Sequence, residues 1–325
     1  MFKNIIKKNF QSYLVWVIFI IMFIFFSIAS DKFLQISNFI SILRNALIYG
    51  ILACGMTFVL ISGLVDLSIG SSVGFVGLII TILTLRGWGG IFGIIIIPLL
   101  VCFSISLANA IMIVRFKMPA LIVTLAMLMV LKGIKLVIQI KSYTVLRDMP
   151  KILDFINNGY IWRIPISICI FIFLIILSNI ILYKTPFGRK VIIVGANDHA
   201  AFLMGINPNT IKILTFLLLS IYVYFCSIIL VGRIGGYSYT MGEDYEMVVL
   251  LAVIVGGTSF YGGRGSIIGS IGGVMVMSTL LDGLVLLKIS YEWQKVILGI
   301  IFIFIIIIDR LYNRKNMYDL LSKKI

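Results

Sequence analysis

Asp66 stands between two long apolar runs, in Leu64-Val65-Asp66-Leu67-Ser68-Ile69-Gly70-Ser71. An ionisable group amid apolar spans is a functional candidate by default. It is also suited to capping a helix start, where a carboxylate meets free backbone N–H groups and the positive end of the dipole. Aspartyl-protease chemistry would need a second aspartate within the spans, and Asp66 lacks a convincing partner. Serine-hydrolase chemistry would need a base, and the one histidine, His199, lies in a polar segment far along the chain. The four cysteines, Cys54, Cys102, Cys169 and Cys226, are scattered through apolar runs without a Cys-x-x-Cys pair. That indicates neither a metal site nor a disulfide framework. Gly257 and Gly262 have the first spacing of a phosphate loop, but Gly263 and Arg264 occupy the positions where Lys-Ser/Thr is required. No nucleotide site is expected in this chain, and no enzyme activity.

Composition explains why chemistry is sparse. Of 325 residues, 61% are hydrophobic and 12% charged, about half the charged share of a soluble domain. The mean hydropathy is +1.17. Apolar stretches long enough to cross a bilayer recur along the whole length. The expected fold is an all-α polytopic membrane protein with about ten transmembrane helices, forming one domain over residues 1–325. The candidate spans are residues 13–29, 46–61, 67–85, 91–114, 120–140, 164–182, 211–231, 247–259, 267–287 and 296–308. Some are short for a crossing of ~20 residues, and these are expected to be broken or to merge with neighbours. Lys3, Lys7 and Lys8 ahead of the first span resemble a signal-peptide start, but the run is long for one and is read as a retained helix.

The net charge of +15 does not point to nucleic acid, because the basic residues sit in short loops between spans. With the N-terminus inside, Arg115, Lys117, the Lys184–Lys190 group, Arg264, Arg310, Arg314, Lys315, Lys323 and Lys324 fall on the cytoplasmic side. The acids Asp31, Asp148, Asp154, Glu243, Asp244, Glu246 and Glu292 fall on the other, together with Arg44, Arg86, Lys141, Arg147, Lys151 and Arg163. This bias places both termini in the cytoplasm and the protein in a bacterial inner membrane. Lys132 and Lys135, inside the fifth span, are expected to snorkel to the outer interface; the other reading has one of them line a pathway. Pro119 suits the start of that span.

Residues 184–210 form the longest polar break. From the residues alone, this is either a basic cytoplasmic linker or a short amphipathic helix ended by Gly205, on which a soluble motor could grip. The spacing of Thr185, Phe187, Gly188, Arg189, Gly195, Asn197, Ala200, Ala201, Gly205 and Ile206 resembles the coupling loop of sugar-type permeases of bacterial ABC importers, the ribose/galactose/xylose permease family. Three further blocks in the same order carry the resemblance. They are residues 55–71 (GMT through DLS, with Leu64-Val65 departing from Gly-Ile), residues 119–125, and Gly256-Gly257-Thr258-Ser259 with Gly262-Gly263-Arg264-Gly265-Ser266. Asp282-Gly283-Leu284 stands where the family usually has Asn-Asn-Gly-Leu, so Asp282 is a departure.

The resemblance implies a type II importer fold and a permease carrying a ribose-like pentose or galactose-like hexose. It implies a cytoplasmic ABC ATPase holding ATP and Mg, an extracytoplasmic sugar-binding protein, and a second permease subunit, expected as a second copy. It also implies an ATPase-coupling role for Gly188, Arg189, Gly195, Asn197, Ala200, Ala201, Gly205 and Ile206. Thr57, Ser62, Asp66, Ser68, Ser71 and Ser72 are candidates for a weakly binding pathway. Gly256, Gly257, Gly262, Gly263, Gly265 and Gly269 are candidates for close helix packing, with Gly265-x-x-x-Gly269 as a small-x-x-x-small pair. Glu243, Asp244 and Glu246 are candidates for docking the binding protein. The alternative is an ion-coupled secondary transporter of a small polar solute, which would normally show internal repeats; no clear repeat is found. Replacing Gly205 with a bulky residue is expected to abolish uptake while the protein still inserts. Transport assays on membranes matched for protein content check this.

Overall fold

The computed structural model describes the backbone of residues 2–138, 143–162 and 164–322, and the side chains of residues 15–138, 144–162 and 164–307. Expectations resting on Lys3, Lys7, Lys8, Lys141, Arg163, Arg310, Arg314, Lys315, Lys323 and Lys324 fall outside the described side chains.

The chain is an all-α polytopic membrane protein. In order, the helices are α1 (Phe2–Ala29), α2 (Ile36–Ile61), α3 (Ile69–Leu85), α4 (Ile97–Val114, led by a π-helical turn at Phe92–Ile96), α5 (Ala120–Ile138), α6 (Lys151–Asn158) and α7 (Ile166–Lys184). They continue with α8 (Pro186–Ala196), α9 (Asp198–Leu203), α10 (Pro208–Ile234), α11 (Tyr245–Val255), α12 (Ile267–Leu286) and α13 (Tyr291–Ser322). Among the described residues six helices are long and apolar enough to cross a membrane: α2, α4 with its leading turn, α5, α7, α10 and α12. Val15–Ala29, α3 and α11 are apolar but shorter. Two small antiparallel pairs were not foreseen: β1 (Tyr143–Val145) with β4 (Gly236–Ser238), and β2 (Tyr160–Ile161) with β3 (Ile164–Pro165). The first ties residues 143–145 to the loop after α10.

Helix ends are set by local chemistry. Asn207 accepts from the N–H groups of Asn209 and Thr210, Pro208 fills the first turn of α10, and Gly235 closes it in a left-handed conformation. Ser266 caps α12 by accepting from Gly269 N–H. Side-chain caps matter here because lipid offers no water to orphan backbone groups.

The core is organised on α2, which is buried from Ala46 to Ile61 save for the half-buried Tyr49. Lipid removes the hydrophobic drive between helices, so close packing and interhelical hydrogen bonds must hold them. A Cβ at Gly50 would meet the Phe171 ring of α7 at 2.6 Å, and one at Gly55 would meet Leu219 of α10 at 2.7 Å. Tyr222 of α10 and Ser178 of α7 share a hydrogen bond of 2.6 Å. Thr57 of α2 and Ser270 of α12 share one of 2.8 Å.

The α11–α12 contact is backbone on backbone. A Cβ at Gly273 would stand 1.9 Å from the Ala252 carbonyl oxygen, and one at Gly256 would stand 2.3 Å from that of Gly269. The helix pair is therefore Gly269 with Gly273. The expected Gly265–Gly269 pair is corrected: Gly265 precedes the Ser266 cap, lies in the loop, and faces the Ile61 side chain. Lys135 is also corrected. It is buried against α3, its ammonium 2.8 Å from where a Gly74 Cβ would stand and 5.9 Å from the Tyr239 ring centroid, so it does not snorkel outward.

Gly273→Val is expected to lower stability by about 3 kcal/mol, because helix backbone cannot yield to a new side chain. Gly133→Ala, which meets nothing within 4 Å, should instead be neutral or stabilising by about 1 kcal/mol. Thermal unfolding of the purified protein in one detergent compares them.

Candidate functional site

The polar segment after α7 folds as two short helices rather than one. Thr185 caps α8: its hydroxyl donates to the Ile181 carbonyl at 2.6 Å and accepts from Gly188 N–H at 3.2 Å. Pro186 follows at the first helical position. Gly188 is required by space, since a Cβ there would lie 2.1 Å from the Leu182 carbonyl oxygen. Asn197 ends α8 and caps α9 by accepting from Ala200 N–H at 2.9 Å. Gly205 has φ +76°, and the N–H of Ile206 returns to the Ala201 carbonyl at 3.0 Å. This is the glycine-terminated reversal expected from the sequence. An ion pair between Asp198 and Lys212 holds α9 to α10.

The two faces of this segment differ. Gly188, Val191 and Val194 of α8 and Ala201 of α9 are buried. Ala201 therefore packs on its own chain and presents nothing to a partner, while Ala200 is exposed. What projects is Phe202, Leu203 and Met204, at 67%, 74% and 66% exposure. None of the three stands among the expected coupling residues. Their signal is an apolar triplet inside a polar break, immediately before a reversing glycine.

The buried face of α8 rests on the other glycine-rich block. A Cβ at Gly195 would fall 1.6 Å from the Ile61 carbonyl oxygen at the end of α2, and 2.7 Å from the Gly263 nitrogen. Gly263 N–H donates to that same Ile61 carbonyl at 2.9 Å. Gly262 and Gly263 have φ of +87° and +76°, and Cβ atoms on them would meet Gly195 O, Gly63 Cα and Ala196 Cα at 2.8–2.9 Å. Tyr183 OH, at the end of α7, donates to the Gly265 carbonyl at 3.1 Å. Three of the four sequence blocks thus meet at one point: the end of α2, the loop between α11 and α12, and α8. Gly257, at φ +89°, turns the chain out of α11. Arg189 is exposed and stands outside this contact.

The hydroxyl candidates form a second group. Asp66 Oδ1 accepts from Ser68 N–H at 2.7 Å and Ser68 Oγ at 2.6 Å. Its carboxylate closes the turn ahead of α3, whose N-cap is Ser68, so it acts one step before the expected position. Asn109 of α4 donates to Ser68 Oγ at 3.0 Å, joining α4 to this turn. Ser71 donates to the Ser68 carbonyl, and Ser62 to that of Val59. Thr57, Ser62, Asp66, Ser68, Ser71 and Ser72 are all buried. In this conformation Thr57, Ser62, Asp66, Ser68 and Ser71 bond to main chain, to one another or to side chains of neighbouring helices, and the group lines no open surface of the protomer.

The docking candidates separate as well. Asp244 accepts from Tyr291 OH at 2.6 Å and pairs with Lys295 at 3.1 Å, joining the start of α11 to α13. Glu243 lies 4.0 Å from Lys295 and keeps solvent access. Glu246 is only 4% exposed, its Oε2 lying 2.2 Å from where a Gly70 Cβ would stand. It faces α3 and cannot contact a partner at an outer surface.

Residues 38–306 match a family of transport proteins described as branched-chain amino acid transport system / permease component. The chain is 31% identical to the ribose import permease protein RbsC of Bacillus subtilis (strain 168), covering 89% of this chain and 90% of that protein. It is 32% identical to the probable ABC transporter permease protein YphD of Escherichia coli (strain K12), covering 97% and 94%. It is 30% identical to the L-arabinose ABC transporter permease protein AraH of Azospirillum brasilense, covering 92% and 87%. No solved structure matches. With the family covering most of the spans and all four motif blocks, the chain belongs to the branched-chain amino acid transport system / permease component family, as a non-catalytic membrane permease.

Proposed function

We propose that the chain is one of two copies of the permease subunit of an ATP-driven importer of a monosaccharide. It sits in a bacterial inner membrane with about ten transmembrane helices and both termini in the cytoplasm. The observation that carries the coupling is the exposed triplet Phe202-Leu203-Met204, presented by a helix pair whose opposite face is locked to α2 and to the loop before α12. An apolar knob on a rigid mount is what a cytoplasmic ATPase needs to push on. The ATPase holds ATP and Mg; this chain contributes neither.

A push on α9 passes through α8 to the Ile61 end of α2 and to residues 256–266, the start of α12. Both long helices then move as rigid bodies, and the hydroxyls sealed between them become the polar lining of a path. ATP binding supplies the difference in free energy between the two states. Sugar is the cargo favoured by the names of relatives matched over 90% and 87% of their length, a ribose and an arabinose permease. An extracytoplasmic binding protein delivers it, with Glu243 available for orientation.

Purification of a tagged copy from its native membrane, followed by mass spectrometry, is expected to recover an ABC ATPase in stoichiometric amount. Phe202→Glu with Met204→Glu should lose that subunit while the permease keeps its elution volume. A chain that purifies alone and still transports would mean a secondary transporter. Vesicles carrying the complete complex should accumulate one of ribose, arabinose, xylose or galactose; accumulation of leucine alone would move the cargo to amino acids. Gly195→Ala is expected to retain the ATPase and its hydrolysis while uptake per ATP falls at least about tenfold, since α8 must lift off the Ile61 carbonyl to admit even a methyl group.

A further inference from the structure

At the end of the bundle opposite α8, roughly 40 Å away along the 27 residues of α10, four helix ends converge around Asp282. Its Oδ1 accepts from Ser41 Oγ at 3.4 Å and from Asn45 Nδ2 at 3.3 Å, both on α2. The Asn45 Oδ1 in turn accepts from Arg233 Nη2 at 3.5 Å, and Arg233 Nη1 donates to the Arg44 carbonyl at 3.3 Å. One amide thus stands between a carboxylate and a guanidinium that form no direct ion pair among the described residues. Tyr49, one turn along α2 from Asn45, meets Tyr245 edge to face with ring centroids 5.1 Å apart.

Three observations argue against a purely structural role for Asp282. Its bonds are long, where charge-assisted ones are usually about 2.7–2.9 Å. Its Oδ2 is buried with no hydrogen-bond partner among the described residues, although an ionised carboxylate accepts at both oxygens. And it lies in the last turns of α12, which ends at Leu286, where the helix dipole disfavours an acid. An asparagine, the residue usual in the resembling permeases, would make the same contacts without the charge.

We propose that Asp282 and Arg233, held apart by Asn45 and flanked by Tyr49 and Tyr245, form a sugar subsite. This rests on the monosaccharide reading above. When the helix ends part, Asp282 Oδ2, sealed in this conformation, accepts from one sugar hydroxyl and the guanidinium donates to its neighbour. The half-buried setting gives weak binding, suited to receiving a sugar and passing it on. The subsite discriminates by hydroxyl pattern, because a sugar lacking the hydroxyl that meets Oδ2 leaves that oxygen unpaired.

The test uses vesicles holding the complete importer, with wild-type, Asp282→Ala, Asp282→Asn and Arg233→Gln chains. Each is given the sugar the wild type carries and its series of monodeoxy analogues. Asp282→Ala is expected to raise the half-saturating sugar concentration about tenfold, the worth of one charged hydrogen bond. It should also erase the preference over one particular deoxy analogue, while the ATPase still co-purifies. Arg233→Gln should erase the preference over the analogue lacking the adjacent hydroxyl. Wild-type uptake with unchanged half-saturation and unchanged preference in Asp282→Ala and Arg233→Gln would overturn the subsite alone. Failure of the wild type to carry any sugar would overturn the monosaccharide reading and the subsite with it. Should Asp282→Ala not assemble, Asp282→Asn, which keeps the shape, decides by the same preference ratio.

Discussion

The carbonyl of Ile61 is the pivot of this molecule. It ends α2, which is buried from Gly50 to Ile61, where an unpaired acceptor would cost several kcal/mol in the absence of water. Gly263 N–H satisfies it at 2.9 Å, and Gly195 lies directly over it. That arrangement works only because Gly195, Gly262 and Gly263 carry no side chains where three backbones meet. At the Ile61 carbonyl the contact is main chain on main chain, so displacement of α8 there is not absorbed by a side chain changing rotamer. It must be transmitted to α2 and to the start of α12, or the hydrogen bond must break.

The hydroxyl groups play a complementary part. Thr57 with Ser270, Ser62 with Thr215, and Ser68 with Asp66 and Asn109 bind neighbouring helices at points where lipid-like packing gives little preference for one register over another. They make the closed arrangement specific. In the transport cycle proposed above, the same groups become hydrophilic surface once the helices part, so one set of side chains would serve cohesion in one state and permeation in the other.

Much of this was legible in the sequence because it depends on short-range rules. The reversal at Gly205 and the recurrence of long apolar runs follow from residue type and spacing. What was not legible was direction. A membrane helix is apolar on every side, so its pattern does not say which face meets protein and which meets lipid. That is why Lys135 was sent outward and Ala201 assigned to a partner. Glu246 was placed on a surface for a related reason, since the chain before α11 dips inward against α3. Gly265 was read as part of a helix because small-residue spacing looks the same in a loop, and only the Ser266 cap tells them apart.

The brevity of α11 bears on how the protein is made. Eleven residues rise about 16 Å, half of a hydrocarbon core of roughly 30 Å. Insertion machinery that releases segments one at a time into lipid would strand its ends, along with the buried carbonyls of Met241 and Gly242 that lie against α3. Those ends find their partners only once α11 is docked on α12 through Gly256, Gly269 and Gly273, with the chain before it seated against α3.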